Sequence, residues 1–352
     1  MDWVPLCFID DVCHQLEFEL LWHISQISES WSTIGSEHHK KRREFRFRFE
    51  TSCSEARYAV EKIEGNKFYG QVYDLDATYD RITFIYCDGV FDICDQKAAP
   101  GKTRIPLEEF QSDVVPIIAS LAANCSWSVL PRRCPQDFEQ YRLIFNAFKN
   151  CPGLSNVSVV EQGEESRDFV LRQVEIGNVQ KLSLQNHTPT TWPEPEKLAK
   201  TLNAFVSSLR FKELYAFDRL PNDFELVELF LDRALAGELK KGAFILIESS
   251  NFDRSRFIGL HPEHREETRI AWRIPNSNRT VLEEPVALTR FHRFSLKVCD
   301  VMDVLCPPPS WLPRHGLSQI GCFLGLATPL HHLPVAPNLR RNKCNSAERE
   351  SL

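Results

Sequence analysis

The sequence has little glycine and none of the short motifs that mark common catalytic sites. Only 14 of its 352 residues are glycine. It contains no G-x-S-x-G nucleophile elbow, no phosphate-binding G-x-x-x-x-G-K-S/T loop and no H-E-x-x-H zinc motif. We therefore expect a protein that is not an enzyme, with no catalytic residues, no cofactor and no metal ligands.

Cysteine pattern, apolar runs and charge exclude further classes. The 12 Cys residues are scattered without a C-x-x-C pair, so we expect mostly buried thiols. Acidic residues interrupt the first apolar stretch, and no apolar run reaches the roughly 20 residues of a membrane span. The net charge of -6 gives no global support for nucleic-acid binding. The expected location is cytoplasmic, nuclear or both, with no membrane and no nucleic-acid partner.

The first 35 residues carry apolar side chains at helical spacing. Phe8, Val12 and Leu16 are four residues apart, and Pro5 is well suited to start a helix there. A second set with this spacing, which Gly35 is expected to end, comprises Leu20, Leu21, Ile24, Ile27, Trp31 and Ile34. Two such helices cannot bury their apolar stripes alone. They must pack on a partner helix, on the rest of the chain or on another protein.

The same residues resemble an F-box, a short helical region that docks onto an adaptor protein. Ser28 and Trp31 match its Val-Ser-x-x-Trp-like element, and Pro5 matches its Leu-Pro pair. Val4 and Ile27 stand where that pattern has Leu and Val, and Leu6 follows Pro5 without the usual acidic residue. The resemblance implies binding to a Skp-type adaptor through the partner-binding residues Pro5, Phe8, Val12, Leu16, Ile27 and Trp31.

A basic run follows, from His38 to Arg43, and then Arg and Phe alternate from residue 44 to 49. Alternation with period two predicts a half-buried strand. The basic run suits either a nucleic-acid or nuclear-localisation patch or the solvated end of a helix, where cations are favourable. The net negative charge favours the helix end.

The middle of the chain alternates short apolar runs with amphipathic helical patterns, which predicts an α/β fold with parallel strands. The predicted strands are Ile82–Tyr86, Leu154–Val160, Val179–Leu184, Phe211–Phe217 and Phe244–Ile247. The predicted helices are Val114–Ala123, Phe138–Phe148, Phe169–Val174, Lys197–Leu209 and Phe224–Leu235.

Three of these strands share the L-x-x-L-x-L core of a leucine-rich repeat, beginning at Leu154, Val179 and Phe211. Each unit has one apolar strand face and one apolar helix stripe, so neighbouring units must stack to bury both. We therefore expect an irregular leucine-rich-repeat-like α/β solenoid. A plain doubly wound sheet fits the same pattern.

Three short strings resemble landmarks of a nematode-expanded group of F-box-type proteins: Cys151–Leu154, Leu235–Leu239 and Trp272–Ser277. In that group an F-box-like start precedes degenerate β-α repeats. The expected organisation is a helical region over 1–50, a repeat domain over 65–300 and a Pro-rich, largely disordered tail over 301–352.

The resemblance implies a non-catalytic substrate-recognition subunit of a cullin-type (SCF) ubiquitin ligase. It would bridge a Skp-type adaptor and an unknown target protein, and be a monomer outside the ligase complex. The alternative is a free-standing leucine-rich-repeat-like interaction module without a ligase connection, whose first helices only cap the repeats.

Overall fold

The computed structural model describes the chain in twelve stretches, all within one compact unit, Met1–Leu305. They are residues 4–52, 54–65, 67–90, 101–129, 138–160, 163–185, 195–217, 223–248, 264–266, 269–273, 279–283 and 293–300. The predicted tail, 301–352, lies outside these stretches.

The chain opens with three helices: α1 (Leu6–Gln15), α2 (Phe18–Ile24) and α3 (Glu29–Lys41). Pro5 precedes α1 as predicted. The single second helix expected up to Gly35 is wrong, because the chain turns between Ile24 and Glu29 and Gly35 lies inside α3. A Cβ at Gly35 would meet the backbone nitrogen of Ser25 at 3.4 Å, so glycine there lets α3 cross close to the end of α2.

The remaining helices alternate with strands. They are α4 (Leu107–Glu109), which runs through a π-helical segment (Phe110–Val114) into α5 (Val115–Leu121), then α6 (Phe138–Phe148), α7 (Glu164–Ile176), α8 (Pro195–Ser207) and α9 (Asp223–Leu235). A 3-10 turn covers Val72–Asp74.

The strands of the first half are β1 (Arg43–Thr51), β2 (Glu55–Lys62), β3 (Lys67–Gly70), β4 (Asp80–Val90), β5 (Thr103–Pro106), β6 (Ala122–Val129) and β7 (Leu154–Val160). Those of the second half are β8 (Lys181–Gln185), β9 (Glu213–Phe217), β10 (Phe244–Glu248), β11 (His264–Glu266), β12 (Arg269–Arg273), β13 (Arg279–Glu283) and β14 (Arg293–Asp300).

All of these strands belong to one sheet with a parallel centre and antiparallel edges. Strands β1, β4, β6, β7, β8, β9 and β10 are parallel neighbours in that order. On one side β2 pairs with β1, β3 and β5, and on the other β14, β13, β12 and β11 continue from β10, in every case antiparallel. The predicted α/β class is confirmed.

The alternation predicted from the apolar pattern is confirmed for most elements. Strand β7 and helix α6 match their predicted bounds, and the Arg/Phe alternation forms β1. Strand β6 was missed, because its residues include Asn124, Ser126 and Ser128 and show no long apolar run. The sheet also begins earlier than the predicted domain start at residue 65, since β1 follows α3 directly.

Two separate groups of buried side chains stabilise the fold. The large one lies between the sheet and helices α5 to α9, which contact one another in chain order. The small one lies among the first three helices and comprises Ile9, Cys13, Leu21 and Trp31, with partly buried apolar residues around them. The first three helices, residues 4–41, are called the helical module below.

Candidate protein-interaction site

Two buried arginines join the helical module to the sheet. The Arg42 guanidinium, directly after α3, donates to the carbonyl oxygens of Cys13 and of Leu16, the latter at 2.8 Å. Arg81, in β4, also donates to the carbonyl of Leu16 and reaches the carbonyl of Ala123 in β6 at 3.2 Å. The last carbonyls of a helix have no partner within the helix, and cations are favourable there. The arginines therefore cap the end of α1 from the sheet side.

A third contact, made by Asn124, completes the connection between α1 and the sheet. Arg42, Arg81 and Asn124, with the carbonyls that they bind, are called the joint below. Asn124, in β6, has a φ of 47°, a left-handed conformation that Asn tolerates better than most residues. Its side-chain amide donates to the carbonyl of Gln15 at 3.0 Å. Burial, followed by the neighbouring Arg81 charge, lowers the pKa of Arg42 to about 10. Because this pKa still lies well above neutral pH, the Arg42 guanidinium is charged there.

Histidines add further contacts to the joint. His38 is fully buried, with its Nε2 2.7 Å from the Asp10 carboxylate and its Nδ1 3.3 Å from Arg42. The ring of His14 lies with Nδ1 3.3 Å from the carbonyl of Thr78. Burial, opposed by that hydrogen bond and helped by the Arg81 charge, lowers the pKa of His14. The joint therefore holds His14 as a neutral imidazole that donates to Thr78.

Large apolar side chains of the helical module remain open to solvent. The exposed apolar set comprises Leu6, Phe8, Phe18, Leu20, Trp22 and Ile27. Trp22 is 60% exposed and Phe8 is 53% exposed. Exposed tryptophan and phenylalanine concentrated in one short region are typical of a protein-interaction surface.

Part of this set is organised by a histidine on α3. The rings of Phe18 and His39 stack with centroids 4.5 Å apart, and Trp22 lies 6.4 Å from the same His39 ring. These contacts fix the outer face of α2 against α3. The three rings form one aromatic surface on the outside of the helical module.

The six residues predicted to bind a partner divide into two groups. Pro5, Phe8 and Ile27 are exposed. Val12 and Leu16 are partly buried against the small core, and Trp31 belongs to that core with 7% of its surface exposed. Its indole N–H has no hydrogen-bond partner in the part of the chain that the structure describes. The contact role of all six remains a prediction.

Sequence spacing does not separate the buried from the exposed apolar side chains of the helical module. Among the residues that recur at i, i+3 and i+4, Leu21 and Trp31 lie in the small core. Phe8, Leu20 and Ile27 have the same spacing but are exposed. The run Leu20-Leu21-Trp22 carries the signal, because three consecutive apolar residues cannot all face inward. Of these three residues, Leu21 is buried, whereas Leu20 and Trp22 are exposed.

The basic run from residue 38 to 43 is largely used within the fold. Lys41 pairs with Glu37 and lies 4.7 Å above the Tyr79 ring, while Arg43 pairs with the buried Asp80 carboxylate at 2.6 Å. Arg42 is in the joint. Lys40 is exposed and, within the described residues, has no such partner. The run forms a helix end rather than an array of free cations.

The sheet has one face that the helices do not cover. In β8, for example, Leu182 and Leu184 are buried, whereas the alternate residues Lys181, Ser183 and Gln185 are partly exposed. The face carrying these alternate residues is called the open face. One row across the paired strands of this face comprises Arg48, Tyr86, Ser128, Ser158, Ser183 and Tyr215. Ser128 and Ser158 in this row are buried, whereas the other four residues are partly exposed.

Aromatic and charged side chains flank the serines of the open face. Phe84 and Tyr86 stack with nearly parallel rings, and the Arg46 guanidinium lies 5.7 Å from the Phe84 centroid. On the other flank Glu213 accepts from Lys181 at 2.5 Å and from the Tyr215 hydroxyl at 2.9 Å. Burial and this carboxylate raise the pKa of Tyr215. The open face is thus polar, with its charges mostly paired.

The buried thiols of the described residues are poor nucleophiles. Burial raises the pKa of Cys151 to about 11 and that of the fully buried Cys125 further above its usual range, so neither is a reactive thiolate. The described residues contain no group of His, Cys, Asp and Glu that could hold a metal ion. No helix within them is long and apolar enough to cross a membrane.

Comparison with known proteins adds no relative, since neither the models of known protein families nor the curated protein sequences match this chain.

Proposed function

We propose that the chain is a non-catalytic substrate-recognition subunit of a cullin-type ubiquitin ligase. In this proposal the helical module binds a Skp-type adaptor, and the repeated strand-helix units hold the target protein. The observation that carries it is the exposed apolar set on a module that already has a small core of its own. A module that served only to cap the sheet would direct its largest apolar side chains inward.

The repeated units support the second half of the proposal. Strands β4, β6, β7, β8, β9 and β10 follow one another in chain order without a reversal, as stacked repeats do. A doubly wound sheet reverses its strand order at a switch point. We therefore favour the solenoid-like arrangement, with the target on the open face.

The mechanism would be proximity. A recognition subunit contributes by holding a target lysine at a fixed position relative to the ligase, which raises the effective concentration of the reacting groups. A fixed position requires a rigid connection between the two binding surfaces. Arg42, Arg81 and Asn124, which together bind the end of α1 from the sheet side, supply that connection.

The alternative is a free-standing interaction module whose helices only cap the repeats. The observation that favours it is the burial of Trp31, with Val12 and Leu16 packed against the same core. In that case the apolar stripe predicted to bind an adaptor has its partner within the chain. The adaptor-binding function requires Phe8 and Trp22 to contact a partner protein, whereas the free-standing module does not.

Calorimetry of the full chain with each Skp-type adaptor of the source organism separates the two functions. We expect at least one of these adaptors to bind. The double variant Phe8→Ala/Trp22→Ala should lose affinity by at least about tenfold, equivalent to about 1.4 kcal/mol, because both side chains are exposed and would be buried in the complex. Leu209→Ala is the matched control, since Leu209 is 91% exposed but lies outside the module.

Unchanged affinity of the double variant would show that Phe8 and Trp22 do not contact the adaptor. If no adaptor binds the wild-type chain, the free-standing module becomes the better account.

A further inference from the structure

The helical module is acidic. Residues 4–37 contain six Asp and Glu residues and no Lys or Arg, and the module's two Lys residues, Lys40 and Lys41, lie at the end of α3. The chain as a whole has a net charge of -6. Its negative charge is therefore concentrated in the part that carries the exposed apolar set.

Three of these carboxylates are already engaged within the fold. Asp10 contacts His38, Glu37 pairs with Lys41, and the negative charge of Glu17 acts on Arg81. The other three, Asp11, Glu19 and Glu29, are exposed. Among the residues that the structure describes, none of these three side-chain carboxylates accepts a hydrogen bond or forms an ion pair.

The free carboxylates lie beside members of the exposed apolar set. Asp11 follows Phe8 by three residues in α1, and Trp22 follows Glu19 by three residues in α2. Residues three apart are neighbours on a helix surface. Glu29 is the first residue of α3, two positions after Ile27. Any protein that covers the apolar side chains must therefore also take these carboxylates out of water or lie next to them.

We propose that the partner of the helical module docks through an apolar groove edged by lysine and arginine side chains. This inference rests on the proposed function and specifies the chemistry of the adaptor surface. Burying a carboxylate without a cationic partner is costly. A groove with basic edges stabilises the carboxylates and accelerates association by attracting the module from a distance.

The same charges exclude two other occupants of this surface. A second copy of the module would bring three further unpaired carboxylates against the first three, and like charges repel. An anionic lipid surface would be repelled in the same way. The exposed apolar set therefore remains uncovered in the isolated chain. A partner of opposite charge covers it in the complex.

The experiment measures adaptor association to the full chain by biolayer interferometry over a range of salt concentrations. For the wild type we expect the association rate constant to fall about tenfold or more from low to high salt, because screening removes the attraction. The triple variant Asp11→Lys/Glu19→Lys/Glu29→Lys should bind at least about tenfold more weakly at low salt and lose this salt dependence.

The matched control is Glu108→Lys/Glu164→Lys/Glu196→Lys. These three residues are exposed and, like Glu19 and Glu29, lie in the first turn of a helix, so the control makes similar changes in charge and in helix-end electrostatics. It should associate at close to the wild-type rate. Thermal unfolding of each variant establishes that it is folded.

Two results would overturn the inference in distinguishable ways. Adaptor binding that is insensitive to salt and equal in both triple variants would contradict the basic groove and leave the proposed function in place. Absence of adaptor binding by the wild type at every salt concentration would overturn both.

Discussion

Trp22 and Trp31 illustrate how the position of one residue on a helix decides its role. Both belong to the apolar residues of the first 35, yet Trp22 is exposed and Trp31 lies in the small core. The helical nature of the segment could be predicted from spacing alone. Which tryptophan faces solvent depends on where the chain turns between α2 and α3, and local spacing does not encode that turn.

Gly153 shows that close packing next to the sheet can also restrict a single position to glycine. A Cβ at this position would lie 1.9 Å from the carbonyl oxygen of Ala122, at the start of β6. We expect Gly153→Ala to lower the free energy of unfolding by about 3 kcal/mol, the upper end for forced overpacking. Gly237→Ala, where a Cβ has no neighbour but φ is 77°, should cost only about 1 kcal/mol. Urea unfolding followed by circular dichroism measures both, and equal losses would contradict the close approach.

His14 makes the stability of the chain depend on pH. Because burial and the Arg81 charge lower its pKa in the folded chain, the unfolded chain binds a proton more readily. The resulting loss of stability is absent well above the unfolded pKa of about 6.5 and grows as the pH falls through that value. We expect His14→Gln to lose less stability than the wild type between about pH 7.5 and pH 5.5.

The measurement is the midpoint of urea unfolding at each pH. His23→Gln is the control, since His23 is exposed on α2. A wild-type pH slope in the His14 variant would show that this imidazole is not held neutral.

At the scale of elements, periodicity predicted the alternating strands and helices of the sheet well and the first helices less well. The strands β7, β8, β9 and β10 and helices α6 to α9 were all expected, because each carries a strong apolar pattern. The missed strand β6 is held by its neighbours β4 and β7 rather than by its own composition. The same rule does not tell which apolar side chains of α2 face solvent, because Leu20 has the required spacing and is exposed.

The two groups of buried side chains predict different local stabilities. The small core has four buried apolar residues, whereas the large one spans the sheet and its helices. We expect the amides of α1, α2 and α3 to exchange with deuterium through openings of lower free energy than those of β7, β8 and β9. Mass spectrometry over a time course measures this. Equal protection in both regions would mean that the joint at Arg42 and Arg81 makes them a single cooperative unit.

The whole molecule combines an acidic helical module with one continuous sheet, joined by buried arginines. The α/β class and the order of the strand-helix units could be predicted, because each unit has its own apolar pattern in the local sequence. The joint could not, since Arg42, Arg81 and Asn124 are distant in sequence and meet only through the sheet. Their polar types would ordinarily have placed them on the surface.

The most direct test of the account is hydrogen exchange of the full chain with and without a saturating Skp-type adaptor. The account predicts slower exchange confined to α1, α2 and α3, with strands β6 to β9 unchanged, because the adaptor covers the exposed apolar set and leaves the open face free. Slower exchange in those strands, or no change anywhere on the chain, would contradict it.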